Sequence, residues 1–148
     1  MPILRPCLRG FAVALAASFA LAGCGGGDAT GGASAAGPSD TIGVKATEMR
    51  FDLTTDRAPA GKVTFTVENT GAVEHEMVVV RTETPAGDIP EKNGERDETG
   101  AVGEVGAQQL QPGATASLTR MLASGHYALI CALPGHYEAG MYTNLTVE

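Results

Sequence analysis

From about residue 42 onward the apolar positions recur with a period of two, and no stretch sustains the 3.6-residue spacing of a helix. Lys62-Val-Thr-Phe-Thr-Val-Glu68 alternates without a break, placing Val63, Phe65 and Val67 on one face of a strand and Lys62, Thr64, Thr66 and Glu68 on the other. One face is core and the other is wet. Glu76 to Arg81 differs, because Met77-Val-Val-Val80 offers no polar face, and such a run predicts a strand covered on both sides. Ala58-Pro-Ala-Gly61, Asn69-Thr-Gly71, Gln111-Pro-Gly113 and Ser124-Gly125 supply turns between the apolar pieces. Ile42–Leu53 contains two such pieces, and Ala114–Leu122, His126–Cys131 and Tyr142–Glu148 read as further strands. Roughly seven strands over residues 42–148 predict an all-β Greek-key sandwich or barrel.

Residues 82–110 break this pattern as a long polar insertion with few strand formers. The acids Glu83, Asp88, Glu91, Glu95, Asp97, Glu98 and Glu104 face only Lys92 and Arg96 there. A segment of this length is expected to be a solvated excursion, with a partner-docking or short helical element as the alternative.

The first 41 residues belong to a different regime. Arg5 and Arg9 precede the apolar run Phe11–Ala20, which is shorter than the roughly 20 residues of a membrane span and ends in small residues, as a secretory signal does. Leu21-Ala22-Gly23-Cys24 resembles the bacterial lipobox, so residues 1–23 are expected to be a lipoprotein signal peptide and Cys24 the lipidated residue. Residues 24–41, rich in Gly, Ala and Ser, predict a flexible tether between membrane and head. This implies a lipid-anchored protein of the cell envelope, periplasmic or otherwise extracytoplasmic. Cleavage before Cys24 would take the formal charge from -7 to -9, since the signal holds two arginines and no acid. An acidic chain of this kind is unsuited to nucleic acid. Of three cysteines, Cys7 leaves with the signal and Cys24 takes lipid, so Cys131 alone needs a partner in an oxidising compartment.

That partner is expected to be a metal. Cys131, His136 and Met141 follow one another at intervals of five in a loop bent by Pro134, Gly135 and Gly140. Thiolate, imidazole and thioether are soft donors that suit copper, and trigonal copper sites add a second histidine with the methionine as a weak axial ligand. His75 and His126 are the candidates. His126 starts the strand that ends at Cys131, about 16 Å from the loop, whereas His75 starts a strand directly after a turn. His75 is the choice.

These residues carry a family resemblance. Asn-x-Gly, His-Glu before a valine-rich strand, and Tyr-x-x-x-Cys-x-x-Pro-Gly-His-x-x-x-Gly-Met with a closing Leu-x-Val resemble the cupredoxins, the type 1 blue copper proteins, over residues 42–148. Four residues in each gap of the ligand loop make it most similar to the rusticyanin-like and sulfocyanin-like members. The resemblance implies one copper ion held by His75, Cys131 and His136 with Met141 axial, and His136 as the electron port, flanked by Leu133, Pro134 and Ala139. It implies a monomeric one-electron carrier rather than an enzyme, with cytochromes, quinol-linked complexes or terminal oxidases as partners. An envelope copper carrier or storage protein is the alternative, although Met49, Met77, Met121 and Met141 are scattered rather than clustered. One position departs from the family. An asparagine or serine after the first histidine donates a hydrogen bond that steadies the thiolate in plastocyanin, azurin and rusticyanin; here Glu76 stands there, and an ionised carboxylate cannot donate. Either Glu76 points to solvent or another group takes over. Tyr127 and Tyr137 are expected to be packing residues, and Glu74 and Glu138 solvated charges.

Overall fold

A computed structural model describes residues 40–148. The expected signal peptide, Cys24 and almost all of the tether lie outside the described residues. Eleven strands follow in order: β1 Thr41–Thr47, β2 Arg50–Leu53, β3 Arg57–Ala58, β4 Gly61–Asn69, β5 Met77–Arg81, β6 Glu91–Lys92, β7 Glu95–Arg96, β8 Ala101–Val105, β9 Thr115–Leu122, β10 Gly125–Ile130 and β11 Tyr142–Val147. Two sheets form the sandwich, one ordered β2-β1-β4-β9 and the other β3-β11-β10-β5-β8, with β6 and β7 as a separate hairpin. The chain crosses from sheet to sheet repeatedly. β1 runs parallel to β4 and β3 parallel to β11, while the other pairs are antiparallel.

The core between the sheets comes from the alternating positions. Val63, Phe65 and Val67 of β4 are fully buried, with Thr64 and Thr66 facing outward, as the pattern predicts. They meet Val79, Leu129, Leu145 and Val147 from the opposite sheet in one apolar cluster. A buried valine, leucine or phenylalanine contributes about 1.5–3 kcal/mol, so this layer is the main source of stability.

The five-stranded sheet is covered on its outer face as well. Val78 and Val80 of β5 and Ala128 and Ile130 of β10 point away from the main core and join Ala86, Ile89 and Tyr137 in a second apolar cluster. The all-apolar run of β5 is explained by these two covers. Ala86 and Ile89 belong to the insertion, so residues 82–110 are not a solvated excursion. They supply the lid of the outer cluster, a 3-10 turn at Ala86–Asp88, the β6–β7 hairpin, and β8, which pairs with β5 as a sheet edge. The hairpin turns on Asn93 and Gly94, both at positive φ (59° and 89°), the conformation that an Asn-Gly pair accepts in a tight primed turn.

Candidate metal centre

Two of the predicted ligands are anchored to strands of the five-stranded sheet. His75 lies two residues before β5, and its N–H donates to the Leu110 carbonyl at 3.2 Å. The turn that delivers it is pinned by Asn69, whose fully buried side-chain amide donates to Val73 O and Leu110 O, both at 2.7 Å, and accepts from Gly71 N–H at 2.9 Å. The sequence marks Asn69-Thr-Gly71 as a turn; that the asparagine also ties this turn to residue 110 is visible only in the fold. Cys131 directly follows β10, and its N–H donates to Met141 O at 3.0 Å, closing the ligand loop at its base.

His136 has no strand of its own. Its N–H donates to Leu133 O, its carbonyl accepts from Met141 N–H, and Gly140 N–H donates to Tyr137 O, so the loop is a chain of tight turns. Gly135 and Gly140 take φ of 81° and 107°, which a side chain there would oppose.

The result is convergence. Ligand atoms of His75, Cys131 and His136 all lie within 4.8 Å of one another. His75 Nδ1 is 3.4 Å from His136 Nδ1, and Cys131 Sγ is 3.4 Å from the same nitrogen. Such edges fit neighbouring ligands around one small cation with bonds of about 2.0–2.3 Å. Met141 is fully buried beside them in sequence, between the loop and β11. His75 and Cys131 are also sealed from solvent, and His136 alone reaches the surface. His126 is elsewhere: its ring nitrogens lie 2.7 Å from Thr82 O and 3.0 Å from Asn144 Oδ1.

Burial, reinforced by the neighbouring His136, holds His75 below the ordinary imidazole range, so its neutral form with a free lone pair is favoured. Burial pushes the Cys131 thiol up, against two backbone N–H groups, from Glu76 and Leu133, that hydrogen-bond to the sulfur. Without a cation this thiol is protonated; a bound metal would deprotonate it. A thiolate with two imidazoles and a thioether in reserve is a donor set that favours copper.

The model of the Sulfocyanin (SoxE) domain matches residues 54–148 of this chain. The chain belongs to the sulfocyanin family. Among curated proteins it is similar to the copper-resistant cuproprotein CopI of Rubrivivax gelatinosus, 31% identical over 102 residues. That match takes in 68% of this chain and 61% of CopI, so the chain spans about three-fifths of the relative's length. Among solved structures it is similar to dithionite-reduced auracyanin from Roseiflexus castenholzii, at 26% identity and TM-score 0.59 over 76% of this chain and 99% of that one. Reduced rusticyanin shares the fold, with TM-score 0.54 at 21% identity over 76% of this chain and 82% of that one. The cupredoxin resemblance and the all-β sandwich are thereby shown, and His75, Cys131 and His136 form the ligand group of a copper site.

Within that family frame the departure at Glu76 resolves at the backbone. The main-chain N–H of Glu76 donates to the sulfur whatever its side chain does, and Leu133 N–H adds a second bond. The Glu76 side chain is half-buried, and its burial, with Glu104 and Glu98 nearby, raises it above the usual carboxylate range. It borders a groove of about 320 Å³ that also takes in Glu91, Glu95, Glu98, Glu138 and Leu133. Glu74 and Glu138 are exposed but engaged: Gln111 Nε2 donates to Glu74 at 2.9 Å, and Arg96 pairs with Glu138 at 2.5 Å. Tyr127 packs in the core with its hydroxyl donating to Ala123 O at 2.8 Å.

Proposed function

We propose that this sulfocyanin-family chain is a blue copper protein that shuttles single electrons in the cell envelope. The observation that carries the proposal is a buried, three-donor cluster with 3.4 Å edges, fixed by two strands and a loop closed by its own hydrogen bonds. Copper bound there would supply one-electron exchange between cuprous and cupric states. The protein's part is to hold His75, Cys131 and His136 in one geometry for both, with Met141 as the weak axial donor. With His75 and Cys131 buried and only the His136 edge at the surface, the chain is proposed as a carrier rather than an enzyme. His136, the one ligand that reaches the surface, is the port for electrons. The lipidated Cys24 and the tether would keep the head at the membrane as a monomer. The partners proposed are envelope redox proteins such as cytochromes or a terminal oxidase, and a basic face on them would complement the acidic groove beside the ligand loop.

Adding cupric ion to the purified protein tests this. The expected outcome is an intense visible thiolate-to-copper band that bleaches reversibly with a one-electron reductant and is absent in Cys131→Ser. Colour retained in Cys131→Ser would sink the assignment. The similarity to a copper-resistant cuproprotein favours a second reading, an envelope copper carrier. A carrier would hand its copper to a competing chelator within minutes, whereas an electron shuttle would keep it through many redox cycles.

A further inference from the structure

Three of the four predicted ligands flank strands, as His75, Cys131 and Met141 each lie within two residues of β5, β10 or β11; His136 sits mid-loop. What holds the chain just beyond it is the insertion. The Tyr137 hydroxyl donates to Ala86 O at 2.6 Å and accepts from Ile89 N–H at 2.9 Å, so one phenol satisfies two backbone groups of residues 86–89. The Tyr137 ring is buried in the outer cluster against the same two residues. Arg96, on β7, completes the tie with its guanidinium carbon 4.3 Å over the Tyr137 ring. One of its nitrogens donates to Ile89 O at 3.1 Å and another pairs with Glu138 at 2.5 Å. The planar fork suits this triple role, since it can stack, donate to a carbonyl and pair with a carboxylate at once.

We infer that the insertion is a strap that positions the copper ligand His136, and that Tyr137 and Arg96 are its positioning residues. The inference rests on the copper reading of the site for its spectroscopic consequences, but not for its mechanical ones. Fixing residues 137 and 138 leaves His136 little freedom, because its own N–H is already held by Leu133 O and its own carbonyl by Met141 N–H. The imidazole nitrogen is thereby kept 3.4 Å from Cys131 Sγ before any metal arrives.

The test compares the full-length protein with Arg96→Met, Arg96→Lys and Tyr137→Phe. In the copper-free protein, amide hydrogen exchange at His136, Ala139, Gly140 and Met141 is expected to rise about tenfold or more in Arg96→Met and Tyr137→Phe, with β9 in the opposite sheet unchanged. Arg96→Lys keeps the charge but not the fork and is expected to fall between. With copper, the same variants are expected to stay coloured but to show a shifted reduction potential, an altered ratio of visible bands and several-fold faster copper loss. A drop in melting temperature alone, with loop exchange, potential and spectrum as in the native protein, would overturn the strap. So would a rise in exchange spread equally over both sheets. If the native protein itself takes no colour, the copper reading fails while the exchange comparison still decides whether the strap exists.

Discussion

The two sheets use the same strand chemistry and present opposite outer surfaces. On the β2-β1-β4-β9 sheet the outward residues include Lys45, Thr64, Thr66 and Glu68, and the two central strands, β1 and β4, alternate between core and solvent. On the β3-β11-β10-β5-β8 sheet the central strands are apolar on both faces, and the insertion covers the outer one. His75, Cys131 and Met141 flank strands of the second sheet, and His136 lies in the loop that joins two of them. A sheet packed on both faces holds its strand ends between two apolar layers, and the three-donor cluster lies at those ends. The price is a covering segment, which the first sheet does without.

The comparison breaks most readily at Ile130. Ile130→Ala removes a fully buried side chain from the outer cluster and is expected to cost about 2–5 kcal/mol in denaturant unfolding. Ile89→Ala, from the insertion side, falls in the lower part of the same range if the insertion is a true cover. A cost below about 0.5 kcal/mol, the usual figure for a surface position, would return residues 82–110 to the status of a solvated excursion.

pH sharpens the contrast between the insertion and the ligand loop that it grips. The hydrogen bond from Arg96 holds the Glu138 carboxyl below its usual range, so its contribution is present above the ordinary carboxylate value and is lost as pH falls through the lowered one. Burial and the nearby Glu104 and Glu95 hold Glu98 above its usual range, so its ionisation penalises the fold at neutral pH, and the penalty lifts as pH falls. Melting temperatures followed from neutral to acid pH are expected to be lower at neutral pH in Glu138→Gln and higher in Glu98→Gln, with both differences closing in acid. The same sign for both would refute this assignment. The smallest effect belongs to the open sheet: Thr66→Ala is expected to change stability by no more than about 0.5 kcal/mol, because its side chain faces outward from β4.

How far these regions were legible in the amino-acid string follows from solvent. Val63, Phe65 and Val67 announce their face because the other face is wet, and Met77–Val80 announces double cover because nothing polar interrupts it. What covers that strand was hidden. Ala86 and Ile89 are isolated apolar residues in an acidic stretch, with no period to mark them. Ala101-Val-Gly-Glu-Val105 becomes β8 through pairing with β5 rather than through its own propensity. The Asn93-Gly94 turn was a local signal for the β6–β7 hairpin that the surrounding charges masked.

For the metal centre, the sequence by itself determined the donors and their order, because Cys131, His136 and Met141 share one short loop and soft ligands at that spacing have few other uses. It determined too that a second histidine was required, and strand length alone sent His126 to the wrong end. Only the tertiary structure decided that His75 arrives at 3.4 Å from His136, that the backbone N–H groups of Glu76 and Leu133 face the Cys131 sulfur, and that Arg96 and Tyr137 grip the loop from outside. The physical reason is separation along the chain. Contacts within a loop are written in neighbouring residues, whereas contacts between residues 75 and 136, or 96 and 138, exist only once two sheets and an insertion have closed around one another.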